Sequence, residues 1–328
     1  FDEKAHIPAG YGYVRYLDYR LNPEHPPLVK MLSAIPLLFQ DFNFPTNHKS
    51  WTTDINGQWD VGEQFLYFSG NDANSIIQWS RLGPIVITLI LIFFIYLWSA
   101  QLLGKRWALI PPVLFGLSPT VLAHGHYVTT DVGAALGIFV STYYFIRALE
   151  QPTKKRIIAA GITLGIAQLL KFSAVLLLPF FFGISLLWIF LQMHHSWGQL
   201  SFVAKMKKIW IQLVRWFILM FKIFAIAILL IYIIYALFTV NYPIEKQVTD
   251  TQTLLANFGE GPTPEGQSCA IKRCVAELDM WMAGQPILRP FGHYLFGILM
   301  VGQRAAGGNA AYFLGELSGS GWWYYFPV

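Results

Sequence analysis

Six apolar runs between residues 84 and 240 constrain this chain more than any other feature. They cover 84–103, 107–123, 132–149, 157–170, 172–192 and 211–240. A bilayer crossing takes about 20 mostly apolar residues, so the runs are read as six transmembrane helices, the last long enough to tilt or to extend past the bilayer. Composition agrees: 55% of the 328 residues are hydrophobic and only 12% are charged, against roughly 25% charged in soluble domains. The 12 Trp, 16 Tyr and 26 Phe suit membrane interfaces. The fold class is therefore all-α, a polytopic transmembrane helical bundle. The net charge of +5 is assigned to cytoplasmic loops, not to nucleic-acid binding.

The organisation follows from those runs. Residues 1–83 hold no spanning segment. Apolar pieces such as 31–39 are too short to cross and are read as short interfacial helices. Residues 84–240 hold the six spans, and 241–328 form a long polar loop with a short apolar piece, 291–301, that is interfacial or re-entrant. The aromatic string Trp322-Trp323-Tyr324-Tyr325-Phe326-Pro327 reads as an interface belt leading into a further helix, and the chain is expected to be a fragment at both ends. The connections 104–106, 150–156 and 193–210 carry the dense Lys and Arg clusters, so that side is cytoplasmic. Residues 1–83, 124–131, Lys171 and 241–327 then share the exoplasmic side. Cys269 and Cys274 lie close enough for a small disulfide loop or remain two free thiols.

The charged residues of that exoplasmic side define candidate chemistry. Asp2-Glu3 supplies a carboxylate that can act as a general base toward a hydroxyl. Asn22-Pro23-Glu24-His25-Pro26-Pro27-Leu28 holds Glu24 and His25 on a stiff segment, because proline fixes its own φ and extends the preceding residue. A Glu-His pair suits a divalent cation or a phosphate. Thr130 and Asp131 stand where a helix N-cap belongs; an acid there can also orient a cation or a sugar hydroxyl. His124 and His126 resemble a metal pair only weakly. Lys171 is a lone cation between apolar runs, where a charge is costly and often functional, although snorkelling to the headgroups explains it as well. With Arg20 it can grip a phosphate. The sequence has no P-loop, Rossmann glycine motif, kinase set, Gly-x-Ser-x-Gly elbow or His-Glu-x-x-His, which argues against ATP- or nicotinamide-driven catalysis.

Asp2-Glu3 with His6 and Gly10-Tyr11, followed by Asn22-Pro23-Glu24-His25-Pro26-Pro27-Leu28, resembles the first exoplasmic loop of glycosyltransferase family 39-like proteins. These are bacterial relatives of the protein O-mannosyltransferases and of the lipid A aminoarabinose transferase. Ser118-Pro119 through Thr129-Thr130-Asp131, Leu170-Lys171-Phe172, and Gly315-Glu316 through Phe326-Pro327 are similar to the same family. The resemblance implies a GT-C fold with the active site on the exoplasmic side, in a bacterial inner membrane. It implies transfer of a sugar from a polyprenyl-phosphate-linked donor to a protein, lipid or glycan acceptor, usually with inversion, and with no required cofactor. By position, Asp2 is similar to the acid at the reaction centre, Asp131 to the second-loop acid, and Lys171 to the cation near the lipid-linked phosphate. Glu3, Arg20, Glu24 and His25 would contact substrate. His25 is a departure, since the aminoarabinose transferase has Glu-Lys before Pro-Pro. A divalent metal at Glu24, with His293 as second ligand, is a further expectation. Two alternatives stand beside this reading: a transporter or flippase of a lipid-linked substrate, and a noncatalytic subunit that binds a polyprenyl lipid. Transporters commonly place polar groups near the bilayer midplane in repeated halves, whereas here the charge gathers on one face.

Overall fold

The computed structural model describes residues 2–194, 202–259, 261–262, 269–308, 310–319, 321–322 and 324. The chain divides into two compact units, Phe1–Asn241 and Tyr242–Val328.

The first unit begins with α1 (Glu3–Tyr16), α2 (Leu28–Ala34), α3 (Lys49–Thr52), α4 (Gln58–Glu63) and α5 (Ala73–Ser80). Helix α1 carries Pro8 in its second turn, where the ring removes the hydrogen bond to the carbonyl four residues back, and stops at Leu17 in a left-handed conformation, φ 51°. These short helices share one apolar core of Ile7, Tyr11, Ala34, Leu37, Phe65, Leu66 and Ile76, joined by Val128 from a distant loop. Beyond α2, a 3-10 turn over Ile35–Phe39 leaves Ile35, Leu38 and Phe39 exposed, Phe39 at 84%. Such an apolar rim suits the headgroup boundary.

Helices α6 (Leu82–Trp107), α7 (Ile110–Gly116), α8 (Pro119–His124), α9 (Asp131–Glu150), α10 (Lys154–Leu170), α11 (Leu177–His194) and α12 (Phe202–Phe238) follow. Among the described residues four helices are long and apolar enough to cross a membrane: Ala73–Trp107, Asp131–Glu150, Phe172–Met193 and Val203–Phe238. The expected spans 107–123 and 157–170 are not among them. The first is cut at Ser118-Pro119, where Ser118 is extended at ψ 128° and Pro119 starts a new helix, as the steric demands of proline require. The second is α10, which has 17 residues. Gly104 breaks the end of α6 with φ 75°, a conformation open to glycine at no steric cost, and this makes the Gly104-Lys105-Arg106 turn.

Long-range hydrogen bonds sort these helices between two ends. At one end the α6 hydroxyl of Thr88 donates to the Gly125 carbonyl at 2.9 Å, Lys171 meets Asp131, and the Asn241 amide donates to the Leu17 carbonyl at 3.1 Å. At the other end Arg147 donates to Gln101 at 2.8 Å, and Arg156 to the Arg147 carbonyl at 3.0 Å. Thus α6, the α7–α8 pair, α9, α10, α11 and α12 each run between the two ends. Close packing needs small residues. A side chain at Gly133 would meet Val29 at 2.7 Å and Leu170 at 3.3 Å, so the start of α9, the start of α2 and the finish of α10 touch there.

The second unit contains α13 (Ile244–Leu254), α14 (Ile271–Ala283), α15 (Arg289–Ala306) and a hairpin of β1 (Ala311–Phe313) with β2 (Glu316–Ser318). Cys269 and Cys274 form a disulfide. The short apolar piece at 291–301 is part of α15, whose Phe296 and Leu299 pack with Leu255 and Ala276. In the terminal string, Trp323 and 325–328 lie outside the described residues. Asp279 is fully buried in this unit, and both its carboxylate oxygens lack a hydrogen-bond partner among the described residues. Burial therefore pushes its pKa up from 3.8 to about 8. The fold holds the proton that the unfolded chain releases, so stability is full below pH 3.8 and falls as pH rises through 8, by up to about 1.4 kcal/mol per pH unit. Asp279→Asn is expected to remove that slope. Thermal unfolding of both proteins at several pH values between these limits checks it, and identical slopes would contradict it.

Candidate functional site

The site grows from the first turn of α1. Asp2 occupies the N-cap position, and its carbonyl accepts the amides of Ala5 and His6, both at 3.0 Å. Its side chain is exposed and makes no hydrogen bond or ion pair among the described residues. Glu3, one residue on, is fully engaged. Arg81 clamps both its oxygens, Nε to Oε1 at 3.0 Å and Nη2 to Oε2 at 2.8 Å, and the Val128 amide donates to Oε1 at 3.1 Å. Burial would raise the Glu3 pKa, but the Arg81 and Val128 hydrogen bonds outweigh it and hold the carboxyl below its ordinary value.

One turn further, His6 is buried. Its Nδ1–H donates to the Val128 carbonyl at 2.7 Å, and its ring meets that of His25 edge-on at 5.0 Å. Because the carbonyl can only accept, Nδ1 carries the proton and Nε2 a lone pair. Burial and the nearby Lys30 lower the His6 pKa to about 4, so the ring is neutral at physiological pH.

The Asn22-to-Pro27 string is held from inside. Asn22 adopts a left-handed conformation, φ 54°, which asparagine tolerates. Its amide donates to Asn56 Oδ1 at 2.8 Å. Glu24 accepts from Asn56 at 3.2 Å and from Gln58 at 2.6 Å. Beneath them Lys30 is fully buried. Its Nζ lies 2.7–2.8 Å from four oxygens: Tyr13 Oη, the Asn22 carbonyl, Asn22 Oδ1 and the His25 carbonyl. Burial pulls the Lys30 pKa well below its usual value, and Glu24 opposes that shift.

Asp131 opens α9. The expected cap bond is absent: Thr130 at the N-cap makes no side-chain bond. Asp131 instead binds Lys171, Oδ1 to Nζ at 2.6 Å, with side-chain exposures of 59% and 30%. An ammonium has three donors, so Lys171 keeps hydrogen-bonding capacity toward a ligand. Arg20, by contrast, is committed: it pairs with Asp18 through two nitrogens, donates to the Trp51 carbonyl at 2.7 Å, and stacks over the Trp51 ring at 4.3 Å.

These residues converge through backbone links. His6 and Glu3 hold Val128, three positions before Asp131. Asp131 holds Lys171, and Leu170 packs with Val29, which follows the His25-Pro26-Pro27-Leu28 stretch. An apolar groove of about 460 Å³ adjoins this polar end. Leu28 and Leu170 lie in its wall, and it continues past Ile87, Leu136, Gly137 and Tyr144 between α6, α9 and α10.

Glu24 and His293 fall in different units, and His293 is buried beside Tyr242 and Phe296. Among the described residues no group of three or more His, Cys, Asp or Glu could hold a metal ion. His126 Nδ1 donates to the Leu122 carbonyl of α8, 2.9 Å away. Sequence reasoning missed Lys30, Arg81, Asn56 and Gln58. For Lys30 the signal was present, a lone cation in an apolar stretch.

The fold and site thus define a polytopic helical membrane protein with carboxylates and an amine gathered at one end, beside an apolar groove. Residues 73–204 match the family model of dolichyl-phosphate-mannose-protein mannosyltransferases. That stretch includes Asp131 and Lys171, and the match supports a membrane glycosyltransferase of the family 39-like, GT-C kind. No curated protein and no solved structure matches the chain.

Proposed function

We propose that this chain transfers a sugar from a polyprenyl-phosphate-linked donor to an acceptor hydroxyl, at the bundle end bearing Asp2, Asp131 and Lys171, which faces the exoplasmic side of a bacterial inner membrane. The observation that carries the proposal is the junction of that polar end with the apolar groove: Leu170 lines the groove, and the next residue is Lys171. A lipid-linked phosphosugar has the same two halves. Its isoprenoid chain matches the groove, and its phosphate matches the ammonium.

In the reaction the acceptor oxygen attacks the anomeric carbon, and the bond from that carbon to the phosphate oxygen breaks. Asp2, whose carboxylate is unengaged among the described residues, takes the acceptor proton. Lys171 balances charge on the departing polyprenyl phosphate, and electrostatic support of this kind is usually a large catalytic contribution. Asp131 aims Lys171 through their ion pair and orients the sugar. Glu24 and His25 form the facing wall. The donor is already activated, so no nucleotide enters.

The full-length protein in liposomes, given polyprenyl-phosphate-linked sugar and candidate acceptors, tests this. Formation of a glycosidic bond with release of polyprenyl phosphate is expected. Movement of intact donor across the bilayer without transfer would establish a flippase instead.

A further inference from the structure

Val128 has every group it owns taken up by the first-loop helices. Glu3 Oε1 accepts its amide at 3.1 Å, and His6 Nδ1 donates to its carbonyl at 2.7 Å. Its side chain, fully buried, fills the core with Ile7, Leu37, Phe65 and Ile76. Glu3 and His6 lie three apart, on one face of α1, so a single helical turn brackets one peptide residue as a neighbouring strand would. Arg81 reinforces the bracket twice, by pairing with Glu3 and by lying over the Tyr127 ring at 4.9 Å. The Thr129 amide then donates to the Tyr127 carbonyl at 2.7 Å, which leaves little freedom between Val128 and the start of α9.

Asp2 stands immediately before this bracket and Asp131 three residues beyond it. We propose that Glu3 and His6 are positioning residues that fix Asp131 relative to Asp2 by holding both polar backbone groups of Val128. The inference rests on the transferase reading for its kinetic arm only. It assigns Glu3 to aligning the second acid and not to touching substrate, and it gives His6 a role through Nδ1 as donor.

The geometry discriminates between variants. Asparagine carries an amide nitrogen close to where histidine carries Nδ1, whereas glutamine places it one bond farther out. Asn at position 6 therefore keeps the bond to Val128, and Gln does not. His6→Asn is expected to retain kcat within a few-fold, while His6→Gln and Glu3→Gln lower kcat by up to about 10²-fold, the scale of a 1 Å misplacement, with little change in KM for donor. Equal losses in His6→Asn and His6→Gln, or no loss in either, would overturn the assignment. A second measurement does not depend on turnover. Hydrogen exchange of the peptide containing Val128, in the purified protein without donor, is expected to quicken at least tenfold in Glu3→Gln and His6→Gln but not in His6→Asn. Unchanged exchange in Glu3→Gln and His6→Gln would refute the bracket. If the native protein transfers no sugar, the transferase reading fails while the exchange result still decides this one.

Discussion

Asp2→Asn is expected to lower sugar transfer by about 10²- to 10⁴-fold, the usual contribution of a positioned general base, while leaving the fold as it is. The reason lies in how little the side chain does structurally. Asp2 holds α1 through its carbonyl, which accepts Ala5 and His6, and asparagine keeps that carbonyl. The carboxylate is exposed and makes no side-chain cap bond, so its replacement leaves no buried group unpaired. The lost helix-dipole interaction costs on the order of 0.3–1 kcal/mol. The informative comparison is Asp131→Asn, which strips Lys171 of its ion-pair partner and so disturbs the phosphate end as well. Transfer measured at saturating donor, with thermal unfolding of the same preparations, separates the two. An Asp2→Asn enzyme that turns over normally would leave the reaction without this base, and Asp2 would lose its role.

Much of the fold was legible because hydropathy reports transfer from water to lipid directly, one residue at a time. The apolar runs therefore mark the helices of the bundle, and Gly104 marks a break. Ser118-Pro119 was visible too, yet a hydropathy window averages over it and cannot show that α7 and α8 are separate pieces. In the last unit, the amphipathic helices α13 and α14 have no apolar run to announce them. The site was legible in composition and not in roles. Glu3 and Asp2 are adjacent acids in the sequence, and only the structure gives one to Arg81 and Val128 and leaves the other open. Lys30 and Lys171 are both single cations flanked by apolar residues, and no local pattern says that one is wholly buried and the other partly exposed. Those distinctions depend on partners 78 and 125 residues away for Glu3 and 40 for Lys171, which no short window contains.

Lys30→Met is expected to be the most damaging single change to the first loop. The methionine stem keeps the packing of α2 and removes only the donor. Four oxygens then lose it: Tyr13 Oη, both oxygens of Asn22, and the His25 carbonyl. The His25 carbonyl retains Tyr19 as a donor at 2.9 Å, and Tyr13 still donates to the Leu21 carbonyl. The Asn22 carbonyl keeps the His25 amide as a donor at 3.3 Å, which leaves Asn22 Oδ1 without one among the described residues, and a buried acceptor left bare costs about 1–3 kcal/mol. Added to the charged hydrogen bonds lost at the other three oxygens, this is a sizeable share of the roughly 5–15 kcal/mol that holds an ordinary domain together. The damage also has a direction. Asn22 sits in a left-handed conformation, φ 54°, that its own bonds must maintain, and Glu24 and His25 follow it on the same stiff string. Lys30→Met is therefore expected to lower the unfolding temperature by on the order of 10 °C and to abolish transfer in whatever protein survives purification. Lys30→Gln, with two N–H donors on a shorter stem, is expected to recover part of the stability. If Lys30→Met unfolds at the native temperature, the four-oxygen cage is not what secures the Asn22-to-Pro27 wall of the site.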